Sequence, residues 1–461
     1  MTDTKKIKAP VDMLNGSIWN KIILFALPLA ATSILQQLFN SADVAVVGQF
    51  SGSIALAAVG VNSPIINVMV NLFVGMSVGS NVLISKMLGA GNKADVKKAV
   101  HTSVFIAVIF GFFVGILGFF LSKPFLILLN TQSDILDLAA LYMKIYFAGM
   151  PFIMLYNFEN AIFRSKGDTK TPLLILVIAG LINVGLNIFF VAVCGMTVDG
   201  VALATVISNV FSAVVLFVIL CKCNDDTKIC VREIKVDVQA LKQIVSVGLP
   251  AGLQSTVFSV SNLFMTSAMN SLGSMVVAAN TAAFYYDIYC FFIVDAFAQA
   301  AVSFIGQNYG AGNLKRCRKI TGISIGLGAA AGAVISAVFI LFPRFFLGLY
   351  TQDGQVIELA LCRMYIIVST VFICIVYNTL SGALRVYGHS VLPAILTVFC
   401  VCGIRIIWLY TVFAAVGDYA SLCWAWPASW VASNIALLIT YFALTRKMKF
   451  EETGDGSLSP L

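Results

Sequence analysis

Apolar runs of about twenty residues follow one another through most of this chain, separated by short charged segments. Each run is long enough to cross a bilayer as a helix, and this one feature leaves few folds open. Of 461 residues, 60% are hydrophobic and only 11% charged, against about a quarter charged in a soluble domain. A disordered chain, a disulfide-stapled secreted module and an ordinary cytosolic enzyme are excluded. An all-α polytopic membrane protein remains, and the runs predict twelve transmembrane helices. These fall at 22–47, 54–85, 100–121, 139–163, 172–194 and 200–221, then at 246–270, 277–305, 320–341, 359–383, 391–415 and 421–444. The second and eighth are long enough to tilt or protrude.

The formal charge of +8 invites a nucleic-acid reading. The basic residues, however, sit in short clusters between apolar runs, as loops retained on the inner side of a membrane do. With both termini in the cytoplasm, 24 of the 29 Lys and Arg residues lie inside, the exceptions being Lys123, Lys144, Arg344, Arg363 and Arg405. The inner set includes Lys5, Lys6 and Lys8 before the first helix and Lys447 and Lys449 after the last. No small-residue cleavage site follows a short apolar core near the start, so the first helix is expected to be the insertion signal. The expectation is a multi-pass protein of a bacterial cytoplasmic (inner) membrane, in contact with membrane lipid and not with nucleic acid.

The chain also repeats itself. Gly89-Ala90-Gly91-Asn92 recurs as Gly310-Ala311-Gly312-Asn313, and Tyr156-Asn157 as Tyr377-Asn378. Arg164, Gly167 and Pro172 recur as Arg385, Gly388 and Pro393, all at an offset of 221 residues. Pro28 and Asn40 match Pro250 and Asn262 at 222. The expected organisation is an N-terminal six-helix lobe at 1–221, a cytoplasmic linker at 222–245, and a C-terminal six-helix lobe with its tail at 246–461. Six is even, so both halves insert with the same sense. A pseudo-twofold axis along the membrane normal follows, with a substrate cavity expected between the halves.

A charged side chain within a bilayer is expensive, so the polar residues inside the helices are the candidates for function. Gln36, Asn40 and Asp43 are spaced i, i+4 and i+7 on one face of the first helix. Asn183 and Asn187 share a face of the fifth helix, and Thr205 of the sixth and Tyr142 of the fourth lie at similar depth. Such a group can hold a proton on Asp43 or coordinate a cation. For Asn and Thr the alternative is hydrogen bonding that merely holds helices together, a role that needs no carboxylate. In the second half, Asp295 and Arg405 differ little in depth, and a buried pair would lower the cost of both. Asp287 is placed nearer the outer end, facing water. Glu159 is placed at the inner interface as a neutralising partner for nearby basic residues. Phe284, Tyr285, Tyr286, Tyr289, Phe291 and Phe292 either line a pocket for flat or cationic compounds or pack and anchor the helix. The Gly-Ala-Gly-Asn segments lack the Lys and Ser/Thr of a P-loop, so transport must draw on an ion gradient or the substrate's own. Eleven cysteines and two histidines form no metal pattern and read as reduced, packed thiols. No catalytic constellation, metal or cofactor is expected.

These residues together resemble the multidrug and toxic compound extrusion (MATE) family. The carriers are Leu27-Pro28, the stretch Leu38-Phe39-Asn40-Ser41-Ala42-Asp43, Val47-Gly48, Gly89-Ala90-Gly91-Asn92, the segment from Arg164 to Pro172, and the repeat. The resemblance spans all twelve helices. It implies two six-helix lobes working by alternating access, exporting small organic, often cationic, compounds in exchange for H⁺ or Na⁺. In the branch resembling the DNA-damage-inducible protein F, an aspartate of the first helix carries the coupling proton. Asp43 occupies that position, and the cluster around it matches Tyr142, Asn157, Asn183, Asn187 and Thr205. Some relatives carry a second aspartate where this chain has Asn187; a single carboxylate suits a proton better than Na⁺. The acidic residues another branch uses in its seventh and tenth helices have no counterpart in those helices as drawn. The expected ion-coupling residues are Asp43, Asn183, Asn187 and Thr205; the expected substrate-binding residues are Gln36, Asn40, Tyr142, Asn157, Asp295 and Arg405. A monomeric antiporter, not an enzyme, is the reading. The rivals are a lipid-linked oligosaccharide flippase of related architecture, which would want a basic cavity, and an intramembrane enzyme or receptor.

Overall fold

The computed structural model describes residues 10–128, 131–446, 448, 450–452 and 458–460. Lys5, Lys6, Lys8, Lys447 and Lys449 lie outside the described residues. Among the described residues eleven helices are long and apolar enough to span a membrane, and one bent pair makes a twelfth. They are α1 (Ile18–Phe50), α2 (Gly52–Gly89), α3 (Lys93–Leu128), the pair α4 (Ser133–Ala148) and α5 (Met150–Ser165), α6 (Lys170–Ile188) and α7 (Val198–Lys222). After the linker come α8 (Val238–Asn270), α9 (Ser274–Gly310) and α10 (Leu314–Leu341), then the short α11 (Pro343–Gly348). The next span runs from α12 (Gly354–Arg363) to α13 (Cys374–Val386). The one after it, Val391–Val416, contains α14 (Val391–Thr397), α15 (Ile404–Trp408) and α16 (Ala414–Val416). The last, Tyr419–Thr445, contains α17 (Tyr419–Cys423) and α18 (Ala425–Thr445). Two short strands, Phe450–Glu452 and Leu458–Pro460, pair antiparallel in the tail.

The fourth, tenth and eleventh spans depart furthest from the straight helices the apolar runs predict. The fourth is bent by 50° between α4 and α5. Pro151, at the start of α5, has no N–H to give to the preceding turn, so the ladder breaks at Gly149. The tenth passes through a π turn at Met364–Val368 and a 3₁₀ turn at Val371–Ile373. It also begins earlier than drawn and so includes Glu358, an exposed side chain paired to Arg344 at 2.6 Å. The eleventh carries two π turns, at Val398–Gly403 and Leu409–Phe413.

By Cα proximity the chain forms two compact units. One takes Ala31–Gly252 together with the described residues up to Val11; the other takes Asp12–Ala30 and everything from Leu253 onward. The repeat is visible in the backbone of each. Gly91 and Gly312 have φ of 71° and 74°, and Gly167 and Gly388 of 93° and 92°. The same turn thus closes the same helix twice, at positions only glycine occupies without strain.

In the first unit, buried side chains form two clusters. One is built around Phe147, Met150 and Met154, the other around Phe158, Ile162, Phe163 and Leu216. A close helix crossing joins α2 to the start of α8. A Cβ placed on Gly75 would strike the backbone of Gly252, and one on Gly79 the carbonyl of Ile244. Gly75-x₃-Gly79 thus meets Gly248-x₃-Gly252, small residues letting two backbones approach in a setting where van der Waals contact drives association.

The linker is pinned, not slack. The Cys230 N–H donates to His101 Nε2 at 3.0 Å and the Asp237 N–H to Thr102 Oγ1 at 3.0 Å. Lys166 pairs with Asp225 at 3.2 Å. Burial works against the Asp225 carboxyl, but hydrogen bonds from Thr227 and the charge of Lys166 hold it below the usual carboxylate range.

Candidate functional site

The α1 stripe that carries Asp43 meets α6 and α7 in the first unit. Asp43 is buried, 8% exposed, and Asn187 fully so. Asn187 Nδ2 donates to Asp43 Oδ1 at 2.5 Å, and the Thr205 hydroxyl lies 3.1 Å from Oδ2. Asn187 Nδ2 also reaches Asn183 Oδ1 at 3.3 Å, and Asn183 Nδ2 reaches Thr205 Oγ1 at 3.5 Å. One carboxylate, two amides and one hydroxyl from three helices thus form a closed network, as the i, i+4 spacing on α6 requires.

Two details give the network a choice of states. Thr205 has one hydrogen but two acceptors, Asp43 Oδ2 and the Val201 carbonyl at 2.9 Å. If Asp43 gains a proton, Thr205 can turn its hydrogen to Val201 and accept from the acid instead. Asn187 Oδ1 is buried without a hydrogen-bond partner, a second acceptor beside the carboxyl. The group therefore offers Asp43 a hydrogen-bond partner whether it is charged or neutral.

Tyr142 is buried on α4, its ring stacked on Tyr146 with centroids 6.4 Å apart, and Asp43 lies within electrostatic reach of both phenols. Gln36 and Asn40 stay exposed on the same stripe of α1, outside the hydrogen bonds of the carboxylate. Asn157 donates to the Ile153 carbonyl of its own helix at 2.8 Å and does not join the group.

In the second unit Asp295 and Arg405 hold different partners. Asp295 accepts from Gln299 at 2.5 Å. Arg405 donates to Asn262 at 3.0 Å and to Ser429 at 3.2 Å, and lies over the Trp426 ring at 5.1 Å. The buried ion pair is instead Asp287 with Arg363, at 2.5 Å. Asp287, expected to face water, is 7% exposed. It shares a face of α9 with Asn280 and Phe284, seven and three residues earlier. All three hold the guanidinium, Asn280 by a 2.5 Å hydrogen bond and Phe284 by its ring at 5.5 Å. Trp426 covers Arg363 at 5.4 Å. Within the aromatic cluster of α9, Tyr286 donates to the Phe346 carbonyl at 2.5 Å and packs on Phe339, an anchoring role. Glu159, expected at the inner interface beside basic residues, is instead fully buried and neither carboxylate oxygen has a hydrogen-bond partner; Ile162 and Phe163, three and four residues on along the same helix face, belong to a buried apolar cluster. Among the described residues no group of His, Cys, Asp or Glu is arranged to hold a metal ion.

The MatE family model matches residues 28–189 and again 250–411, the two matches reproducing the internal repeat. The chain is 25% identical over 445 residues to the probable multidrug resistance protein YoeA of Bacillus subtilis, covering 94% of this chain and 95% of that one. It is 32% identical over 310 residues to the probable multidrug resistance protein YpnP of the same organism, covering 66% and 68%. Among solved structures it superposes on an outward-facing multidrug resistance MATE family transporter of the MOP superfamily. The TM-score is 0.86 at 23% identity, over 95% of this chain and 97% of that one.

Proposed function

The chain belongs to the MatE family, and on that premise we propose that it is a secondary active antiporter. It exports small organic, often cationic, compounds across a bacterial cytoplasmic membrane in exchange for H⁺, with both termini in the cytoplasm. The observation that carries the coupling is the closed network around Asp43, in which every neighbour has an alternative partner ready for a protonated acid. Facing outward, Asp43 takes a proton, and the charge-assisted hydrogen bonds from Asn187 and Thr205 give way to weaker neutral ones. α1 rearranges, and the substrate is released with that change. Facing inward, the proton leaves and the network closes again. A proton is favoured over Na⁺ because Asn187 turns a donor, not an oxygen, toward the single carboxylate.

The test is substrate efflux from vesicles under imposed pH or Na⁺ gradients. Asp43→Asn is expected to abolish pH-driven efflux while the protein remains folded. Thr205→Ser is expected to retain it and Thr205→Val to weaken it several-fold. Undiminished pH-driven efflux by Asp43→Asn would refute the coupling, and efflux driven by Na⁺ alone would reassign the ion.

A further inference from the structure

A cavity of 520 Å³ opens in the second unit where α1 and α10 begin. Gly16, Ser17, Ile18 and Trp19 line one side and Asn313, Lys315, Arg316, Lys319 and Ile323 the other, with no acidic residue among them. Neither helix has an acid in its first turn. Two helix N-termini, each with the partial positive charge of its free N–H groups, therefore share one hollow with three cationic side chains. Arg316 fixes the geometry by donating to the Asn15 and Gly16 carbonyls at 3.2 and 3.0 Å.

The internal repeat supplies a control within the same molecule. At the 221-residue offset Arg316 corresponds to Asp95, in the first turn of α3. Asp95 accepts from Asn92 at 2.7 Å and from Lys98 at 3.2 Å, so that helix start carries its own carboxylate. At the 222-residue offset Asn15 corresponds to Asp237, which caps α8 by accepting from the Ala240 N–H at 2.8 Å. Both helix starts in the first unit are thus neutralised by acids. Both of their counterparts in the second unit have lost the acid, and one has gained a cation where a helix disfavours it. The nearby Lys21 is paired with Asp12 at 3.4 Å, and among the described residues Lys315, Arg316 and Lys319 line the hollow with no acidic residue beside them. Trp19 stands at the rim, 53% exposed, as tryptophans do at the level of lipid headgroups.

We propose that this hollow binds the phosphate of an anionic phospholipid headgroup in the cytoplasmic leaflet. The two helix N-termini and Lys315, Arg316 and Lys319 supply the counter-charge, and Trp19 lies along the glycerol and upper acyl region. The proposal takes its side of the membrane from the distribution of Lys and Arg, and it is independent of the coupling role of Asp43.

Binding is read without transport. Full-length protein is placed in phosphatidylcholine nanodiscs with a minor fraction of brominated phosphatidylglycerol or brominated phosphatidylcholine. The Trp19 signal is isolated as the difference from Trp19→Phe. Brominated phosphatidylglycerol is expected to quench Trp19 more strongly than the zwitterionic lipid. Lys315→Gln with Lys319→Gln should weaken its apparent affinity by about five-fold per lysine, while Lys315→Arg with Lys319→Arg should retain it. Equal quenching by the two lipids, or unchanged affinity in the glutamine variant, overturns the site. Full displacement of the lipid by soluble inorganic phosphate overturns the lipid as its occupant.

Discussion

A carboxylate within an apolar bundle must be satisfied by something, and the two that this chain buries in its first unit are satisfied differently. Asp43 has a donor on each oxygen. Glu159 has none on either, so its burial is a net cost. A buried polar group without a partner costs about 1–3 kcal/mol. Glu159→Met, which fills nearly the same volume, is therefore expected to raise thermal stability by about that amount, and Glu159→Gln to change it less. Thermal unfolding of the purified protein checks this, and a destabilised Glu159→Met would mean that the carboxyl has a partner in another state. The contrast also shows what can be read from one sequence. Spacing along a helix reports which residues share a face, so Asp43, Asn183, Asn187 and Thr205 were legible before any fold was known. Spacing does not report which way a single residue faces. Glu159, five residues from Arg164, reads as a surface partner, yet it points inward.

Pairing between elements was less legible, for a related reason. Asn280, Phe284 and Asp287 could be read as one face of α9, but nothing in the chain says that Arg363, some eighty residues on, lies opposite. The small-residue spacings in α2 and α8 are visible in the sequence, yet glycine is common in membrane helices and only contact shows which glycines matter. Here the structure separates them. Gly75 meets the backbone of Gly252, whereas an added Cβ on Gly60, in the same helix, meets nothing within 4 Å. Gly60→Ala is therefore expected to be neutral or slightly stabilising, since alanine is the better helix former. Gly75→Ala forces α2 and α8 apart where their backbones meet and should cost about 1–3 kcal/mol, the usual range for overpacking. Melting temperatures of the two variants side by side decide it, and equal values would mean that the crossing is not tightly packed.

At the scale of the whole molecule, what the sequence carries best is orientation and repetition, because both are sums over many residues. A single misplaced helix end does not alter the excess of Lys and Arg on one side, nor an offset shared by nine residue pairs. The helix count survived even where one span proved to be a bent pair and two others were interrupted by π turns. Orientation, though, is a statement about the bilayer and must be tested there. Of the eleven cysteines Cys194 alone is exposed. It lies in the short connection between the π turn that extends α6 and the start of α7. With the N-terminus in the cytoplasm, five crossings place that connection outside. A membrane-impermeant maleimide applied to intact cells is therefore expected to label the protein, and Cys194→Ser to remove the label. If Cys194 reacts only after the cells are opened, the whole topology inverts. The basic hollow at the start of α1 and α10 would then face the outer leaflet, and Asp43 would lie toward the inner end of its helix.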